Sequence, residues 1–248
     1  MDPTFLKYAL IGFVAQLIDG ALGMAYGVIS TTFLLSAGIA PAAASASVHT
    51  AQVITAVSSG FSHLLMGNVD RILLRKLLLF GAMGAVAGSY AITLLPLWHM
   101  RFIVSGYLAV MGGVIILKAV RSTPLFTAPI DKATRVLGLT GGFLDGAGGG
   151  GWGPIVTSTL LNRGHMPRFV IGTVSLAEIF VSLAAVLTFS FTIGIGHWRI
   201  VLGLISGGVV AAPLAAYFCR RIPPRIVMVL VGIVIIVLCT RTMLVSPD

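Results

Sequence analysis

The stretch that decides the fold reads Asp19-Gly20-Ala21-Leu22-Gly23-Met24-Ala25-Tyr26-Gly27, and a second copy reads Asp145-Gly146-Ala147-Gly148-Gly149-Gly150-Gly151-Trp152-Gly153. The second copy lies 126 positions after the first, and at this offset residues 19–41 match residues 145–167 at 11 of 23 positions. A repeat at one fixed offset indicates an internal duplication. We therefore predict two homologous halves that form one transmembrane domain, with the first repeat at 1–120, a linker at 121–133 and the second repeat at 134–248.

The composition is typical of a protein that lies in a membrane. Hydrophobic residues make up 57% of the 248 residues, charged residues make up 9%, and the mean hydropathy is +1.05. Soluble domains carry roughly 25% charged residues, so we predict an all-α integral membrane protein with the lipid bilayer as its surroundings. The net charge of +9 comes from Lys and Arg in short loops and not from a basic block, so we expect no nucleic-acid partner.

Eight apolar segments can be marked, and most have the length of about 20 residues that a spanning helix needs. They are 8–35, 43–66, 73–95, 102–120, 134–161, 169–193, 200–219 and 226–240. The first and the fifth are unusually long and carry the glycine clusters near their middle. Either they are long, kinked spans, or each is a pair of half-helices that enters the membrane and returns to the same side.

The distribution of Lys and Arg favours the second alternative. If all eight segments cross, the two sides of the membrane receive 10 and 6 of these residues; if the first and fifth are re-entrant, the sides receive 12 and 4. The second division agrees better with the excess of positive charge in cytoplasmic loops. Each half then crosses three times, so the halves have opposite orientations. We therefore prefer an inverted repeat, with a broken, glycine-rich first segment before three transmembrane helices in each half.

The glycine clusters are the first candidate for a binding site. Broken backbone at membrane depth must face protein or a water-filled cavity, glycine lets a solute approach the main chain, and the N-terminus of a half-helix favours an anion. Two such elements that meet near the midplane would form one anion site. The candidate substrate-binding residues are Gly20, Gly23, Gly27, Gly146, Gly149, Gly150, Gly151, Trp152 and Gly153. The alternative is that these glycines only allow close helix packing.

Polar residues in the segment after each cluster are the second candidate. His49 and Gln52 share a polar face of the second segment, since their spacing of three places them on one side of a helix. At the 126 offset His49 corresponds to Ser175, and Gln52 corresponds to Glu178. We expect these four residues to line a cavity between the repeats and to contact the substrate. Hydrogen bonding between helices is the alternative.

Three acids lie inside apolar segments, where ionisable residues are rare without a functional reason. Asp19 and Asp145 begin the glycine clusters, and Glu178 lies in the polar stripe. Because an ionised carboxylate repels an anion, Asp19 and Asp145 are not expected to coordinate an anion directly. All three acids are assigned one of two roles. They either cap a half-helix and tie down the broken backbone, or they carry a coupling proton, since burial favours the neutral acid. We predict no cofactor and no metal.

One family shares these motifs. The sequence Gly-Phe-Leu-Asp-Gly-Ala-Gly-Gly-Gly-Gly-Trp-Gly-Pro at 142–154, followed by Thr-Val-Ser-Leu-Ala-Glu at 173–178, resembles the TauE/SafE family of sulfite and organosulfonate exporters. The resemblance covers nearly the whole chain. It implies a multi-pass transporter of the bacterial or archaeal inner membrane that exports small sulfur-containing anions such as sulfite or sulfoacetate. The first half departs from the full glycine run at Leu22, Met24 and Ala25.

The same features are compatible with two other classes of function. An anion channel would use the same glycine-lined route. An intramembrane serine hydrolase needs a Gly-x-Ser-Gly loop, which the Ser-Gly pairs at 59, 105 and 206 lack, so an enzyme would depend on Asp19 and Asp145 as a catalytic pair. No Walker A pattern occurs in the sequence. We therefore predict a secondary transporter and not an enzyme, with protons as the candidate coupling ion.

Overall fold

The computed structural model describes residues 3–22, 24–120, 130, 132–194, 196–218 and 224–245. Regular structure in these residues is helical, and they contain no strand. This agrees with the prediction of an all-α membrane protein. Most of the predicted linker at 121–133 lies outside the described residues, which include only 130, 132 and 133 of it.

The helices of the two halves follow the same order. Those of the first half are α1 (Pro3–Leu22), α2 (Tyr26–Ser36), α3 (Pro41–Leu65), α4 (Arg71–Leu94) and α5 (Leu97–Val120). Those of the second half are α6 (Lys132–Gly148), a π-helix (Trp152–Thr157) continued by α7 (Ser158–Asn162), α8 (Pro167–Thr192), α9 (Trp198–Phe218) and α10 (Pro224–Leu244). At the 126 offset the first residue of α2 falls on that of the π-helix, and the first residue of α3 falls on that of α8.

Several helices are suited to a bilayer by their length and composition. Four candidate spans are found among the described residues, in α4, α5, α8 and the Arg225–Leu244 part of α10. The stretch Trp198–Ala211 of α9 is a shorter apolar helix. Large apolar side chains such as Leu117 and Phe191 are exposed on these helices, as a lipid-facing surface requires.

Each glycine cluster breaks the helix that contains it. The first long segment stops at Leu22 and resumes at Tyr26, and the fifth stops at Gly148 and resumes at Trp152. Gly149 has a φ of +67°, a left-handed conformation that a residue with a side chain rarely adopts. The backbone therefore changes direction here. Gly23, the corresponding position in the first half, lies outside the described residues.

The first helix of each half packs along the third long helix of the other half. α6 lies along α4, where Gly84 faces Leu139 and Gly88 faces Phe143. Residue numbers increase together, so these helices run in the same direction. α1 and α9 form the equivalent parallel pair. The glycines bring the two backbones into contact, because a Cβ at Gly88 would collide with the carbonyl of Phe143.

Helices that correspond to each other in the two halves pack in opposite directions. In the α3–α8 pair, Gln52 contacts Glu178 while the earlier His49 contacts the later Ser182. In the α5–α10 pair, Gly112 faces Gly232 and Ile236, and the earlier Gly106 faces Met243. Residue numbers rise on one helix as they fall on the other. The α3–α8 pair also contacts α2 and the π-helix, which follow the two breaks.

Candidate functional site

Each aspartate of the repeated motif holds the half-helix that follows the break. Asp145 Oδ1 accepts hydrogen bonds from the backbone N–H groups of Gly151 at 2.8 Å and Trp152 at 3.0 Å. Asp19 Oδ1 accepts the equivalent bonds from Ala25 at 2.7 Å and Tyr26 at 3.1 Å. A carboxylate here satisfies amides that the first helical turn leaves open, and it complements the positive end of the helix dipole. Two amides at each break are therefore paired with protein and not free for a solute.

The two breaks contact each other directly. Thr31 Oγ1 donates a hydrogen bond to the carbonyl oxygen of Gly149 at 3.1 Å. Gly27 lies so close to Gly149 that a Cβ at Gly27 would collide with the same carbonyl oxygen. On the other side, a Cβ at Gly153 would lie 2.8 Å from Met24 Cα. The absence of side chains thus lets the two main chains meet, although they are more than 100 residues apart in sequence.

A small cavity lies where the two breaks meet α3 and α8. It is lined by Asp19, Met24, Ala25, Tyr26, Gly27, Val28, Gln52, Asp145, Gly150, Gly153, Pro154 and Glu178. Its volume is about 10 Å³, close to the smallest space that holds one water molecule. In this conformation the cavity therefore has no room for a solute larger than water.

A hydrogen bond between the halves forms one wall of this cavity. Gln52 Nε2 donates to Glu178 Oε1 at 2.6 Å, and the two residues occupy equivalent positions in the repeat. The amide oxygen of the same glutamine, Gln52 Oε1, and the carboxylate oxygen Asp145 Oδ2 are buried without a hydrogen-bond partner among the described residues. Buried oxygens without partners are rare in proteins. Both can accept a hydrogen bond from water or from a protonated ligand.

The charge around the cavity is one-sided. Three acids, Asp19, Asp145 and Glu178, line it. Within the described residues the one ion-pair contact below 4 Å joins Asp145 Oδ2 to His49 Nδ1 at 3.9 Å. Several ionised carboxylates in a site shielded from water destabilise one another. The cavity therefore repels an anion unless a positive charge lies nearby.

Some of the residues predicted to bind substrate lie behind the cavity. His49 is fully buried, with Nε2 3.0 Å from the carbonyl oxygen of Asp145 and Nδ1 3.4 Å from Ser182 Oγ. Trp152 is also fully buried, and its Nε1 donates to the carbonyl oxygen of Val174 at 3.1 Å. Both side chains join the break of the second half to α3 and α8. They position the cavity wall and do not line it.

The remaining predicted residues divide in the same way. Gly27, Gln52, Gly150, Gly153 and Glu178 line the cavity, whereas Gly146, Gly149, Gly151 and Ser175 do not. Gly20 lies in α1 near the break, and Gly23 lies outside the described residues. The cavity is also lined by the apolar residues Met24, Val28 and Pro154, which are not among the predicted site residues. Their neighbours along the chain are also apolar, so only their position next to the repeated glycines distinguishes them.

Comparisons with known proteins agree with the resemblance noted in the sequence. The family model described as sulfite exporter TauE/SafE matches residues 8–242. The curated protein named "Probable membrane transporter protein YtnM" of Bacillus subtilis (strain 168) is 41% identical over 249 residues, which cover 96% of this chain and 82% of that protein. No solved structure matches the chain. Both descriptions are of transporters and neither is of an enzyme.

Proposed function

Because the chain belongs to the sulfite exporter TauE/SafE family and is a multi-pass membrane transporter, we propose that it is a secondary transporter that exports small sulfur-containing anions. Sulfite and organosulfonates such as sulfoacetate are the proposed substrates, and the inner membrane of the cell is the proposed location. The observation that carries the proposal is the meeting of two glycine-rich breaks around one small cavity. Secondary transporters of several folds bind their substrates between repeats, at such discontinuous helices.

The proposal includes an inverted arrangement of the two halves. If the two-fold axis ran along the membrane normal, equivalent helices would be parallel. The α3–α8 and α5–α10 pairs are antiparallel, which supports an axis in the membrane plane. That symmetry lets one half exchange conformations with the other and so exposes a central site to each side in turn.

The position of α2 supports a re-entrant first segment. Phe5, near the start of α1, lies beside Gly203, near the start of α9. Ser36, at the end of α2, lies beside Arg101, near the start of α5, in a shared pocket. α5 and α9 start on one side of the membrane if each half crosses three times. α1 and α2 then enter and leave on that same side.

The small volume of the cavity favours a carrier over a channel. A channel needs a continuous path across the membrane, whereas a carrier passes through a state that is closed on both sides. The cavity of about 10 Å³ holds no more than a water molecule. Movement of the breaks relative to α3 and α8 would enlarge it, since these elements form its walls.

Counterflow in proteoliposomes tests the proposal. The protein is reconstituted into vesicles loaded with unlabelled sulfite, thiosulfate or sulfoacetate, and entry of the labelled anion is followed against protein-free vesicles. We expect saturable exchange with at least one of these anions. An ohmic current without exchange would assign a channel, and no flux with any anion of the panel would contradict the proposed substrate class.

A further inference from the structure

Lys118 directs its ammonium group toward the first break. It lies in the last turn of α5 and is half-buried, and its Nζ is 3.0 Å from Met24 Sδ. Ser158 Oγ, at the start of α7, lies 3.8 Å from the same sulfur atom. Met24 is only 2% exposed and lines the central cavity. An ammonium group and a hydroxyl therefore converge on one atom at the edge of the proposed transport site.

The sulfur is a poor partner for these donors. An ammonium group offers three hydrogen-bond donors, and a thioether is only a weak acceptor. Among the described residues no carboxylate lies within 4 Å of Lys118, and its hydrogen bond to Met24 is the one that its side chain makes. A lysine near the end of a spanning helix normally extends toward the aqueous interface. This side chain extends toward protein.

We propose that Lys118 Nζ and Ser158 Oγ form an anion-binding site that the thioether of Met24 occupies in the closed state. Both donors face the same sulfur, so an oxygen atom of a sulfite or sulfonate group that replaces it lies within hydrogen-bond distance of Lys118 Nζ and, after a small shift toward α7, of Ser158 Oγ. An anionic oxygen accepts a stronger hydrogen bond from an ammonium group than a thioether does. Methionine has an unbranched, flexible side chain, so its displacement requires little rearrangement.

The site compensates for the negative charge of the central cavity. An anion that enters the cavity faces Asp19, Asp145 and Glu178, and His49 is the one basic group within 4 Å of these acids in the described part of the chain. The positive charge of Lys118 lies next to Met24 on the cavity wall. The positive charge of Lys118 attracts an anion before the anion meets the acids. The electric field in a narrow, charged cleft attracts charged substrates in the same way.

The site is present in one half only. At the 126 offset Lys118 corresponds to Leu244, and Met24 corresponds to Gly150. The anion site is thus an asymmetric element in a symmetric framework. It lies at the end of α5 that leads into the Lys- and Arg-rich 118–135 region, which the positive-inside rule places in the cytoplasm. This position suits the loading of an anion for export.

Substitution of Lys118 tests this inference, which rests on the proposed function. Lys118→Met keeps the length of the side chain and removes its charge, and Lys118→Arg keeps the charge. We expect Lys118→Met to raise the KM for sulfite exchange by about tenfold or more, because a charge-assisted hydrogen bond is lost, and Lys118→Arg to recover part of this loss. Lys132→Met, at an exposed lysine at the start of α6, is the matched control and keeps the wild-type KM.

The outcomes separate the two proposals. Exchange by the wild type with an unchanged KM in Lys118→Met would overturn the anion site and leave the proposed function intact. No exchange by the wild type with any sulfur-containing anion would overturn the proposed function itself. If Lys118→Met does not fold, as judged by gel filtration, Ser158→Ala decides: a KM raised severalfold supports the site, and a wild-type KM overturns it.

Discussion

Asp145 is a buried acid and Glu178 is a half-buried acid at the same cavity, but their surroundings give them different roles. One oxygen of Asp145 accepts two backbone hydrogen bonds, and removal of those bonds would free the start of the π-helix. Glu178 contacts the side chain of Gln52 and no backbone amide is bonded to it among the described residues. We infer that Asp145 and its counterpart Asp19 hold the breaks in place and that Glu178 is the acid free to exchange a proton.

Glu178→Gln tests this assignment at the residue scale. Glutamine has the shape of a protonated glutamate and does not titrate. If Glu178 carries the coupling proton, wild-type anion exchange depends on pH and the variant loses that dependence. The measurement is the rate of anion exchange in proteoliposomes as a function of pH, with an organosulfonate as the substrate, because sulfite itself changes protonation state near neutral pH.

Asp70→Asn is the control for this experiment. Asp70 is an acid outside the cavity that caps α4 through the amides of Ile72 and Leu73. We expect this variant to keep the wild-type pH profile. A wild-type profile in Glu178→Gln would remove Glu178 from proton coupling.

At the scale of elements, the breaks depend on main chains that meet without side chains between them. A Cβ at Gly150 would lie 2.7 Å from Val28 Cα, which real structures do not allow without a shift of one element. Gly150 also lines the cavity. A larger residue here therefore separates the two breaks and fills the proposed site.

Gly150→Leu should abolish anion exchange, measured per amount of folded protein in proteoliposomes. Gly113→Leu is the matched control, because Gly113 lies within α5 and a Cβ there has no neighbour within 4 Å. We expect its exchange to remain near the wild-type rate. Normal exchange by Gly150→Leu would contradict a transport site at the two breaks.

The α3 helix shows why composition alone is an incomplete guide to membrane spans. It has 25 residues but is not among the candidate spans found by length and hydropathy. Its inner face carries Ser45, His49 and Gln52, all buried. These groups form hydrogen bonds with α8 and with the second break, so they do not face lipid. For this reason the helix can carry polar residues at membrane depth.

At the scale of the whole molecule, the proposed inverted repeat determines which segments share a side of the membrane. Six crossings and two re-entrant segments place the N- and C-termini on one side and the 121–133 region on the other. Eight crossings would place all three on the same side. From the excess of Lys and Arg at 118–135 we predict that the 121–133 region lies in the cytoplasm.

Reporter fusions after residue 126 and after residue 248 distinguish these topologies. We expect a cytoplasmic signal from the first fusion and an extracytoplasmic signal from the second. The control is a fusion after Asn68 in the α3–α4 loop, which both the charge distribution and the six-crossing arrangement place in the cytoplasm. Signals on the same side at 126 and 248 would contradict the inverted repeat.

The sequence by itself determined the duplication, the helical fold and the positions of both breaks. These features follow from local patterns, namely the repeated Asp-Gly motif, the lengths of the apolar runs and the glycine clusters. Each pattern affects the backbone sterics and the hydrophobicity of the segment that contains it. For this reason the segments that contain Gly23 and Gly149 are recognisable as unusual before any contact is known.

Only the tertiary structure decided which of these residues face the cavity. Helical spacing places His49 and Gln52 on one face, yet His49 lies behind the cavity wall and Gln52 lines the cavity. The approach of Lys118 to Met24 likewise joins residues that are 94 positions apart. Periodicity identifies the face of a helix, whereas depth and neighbours depend on how other helices pack against it, and that packing is a property of the whole chain.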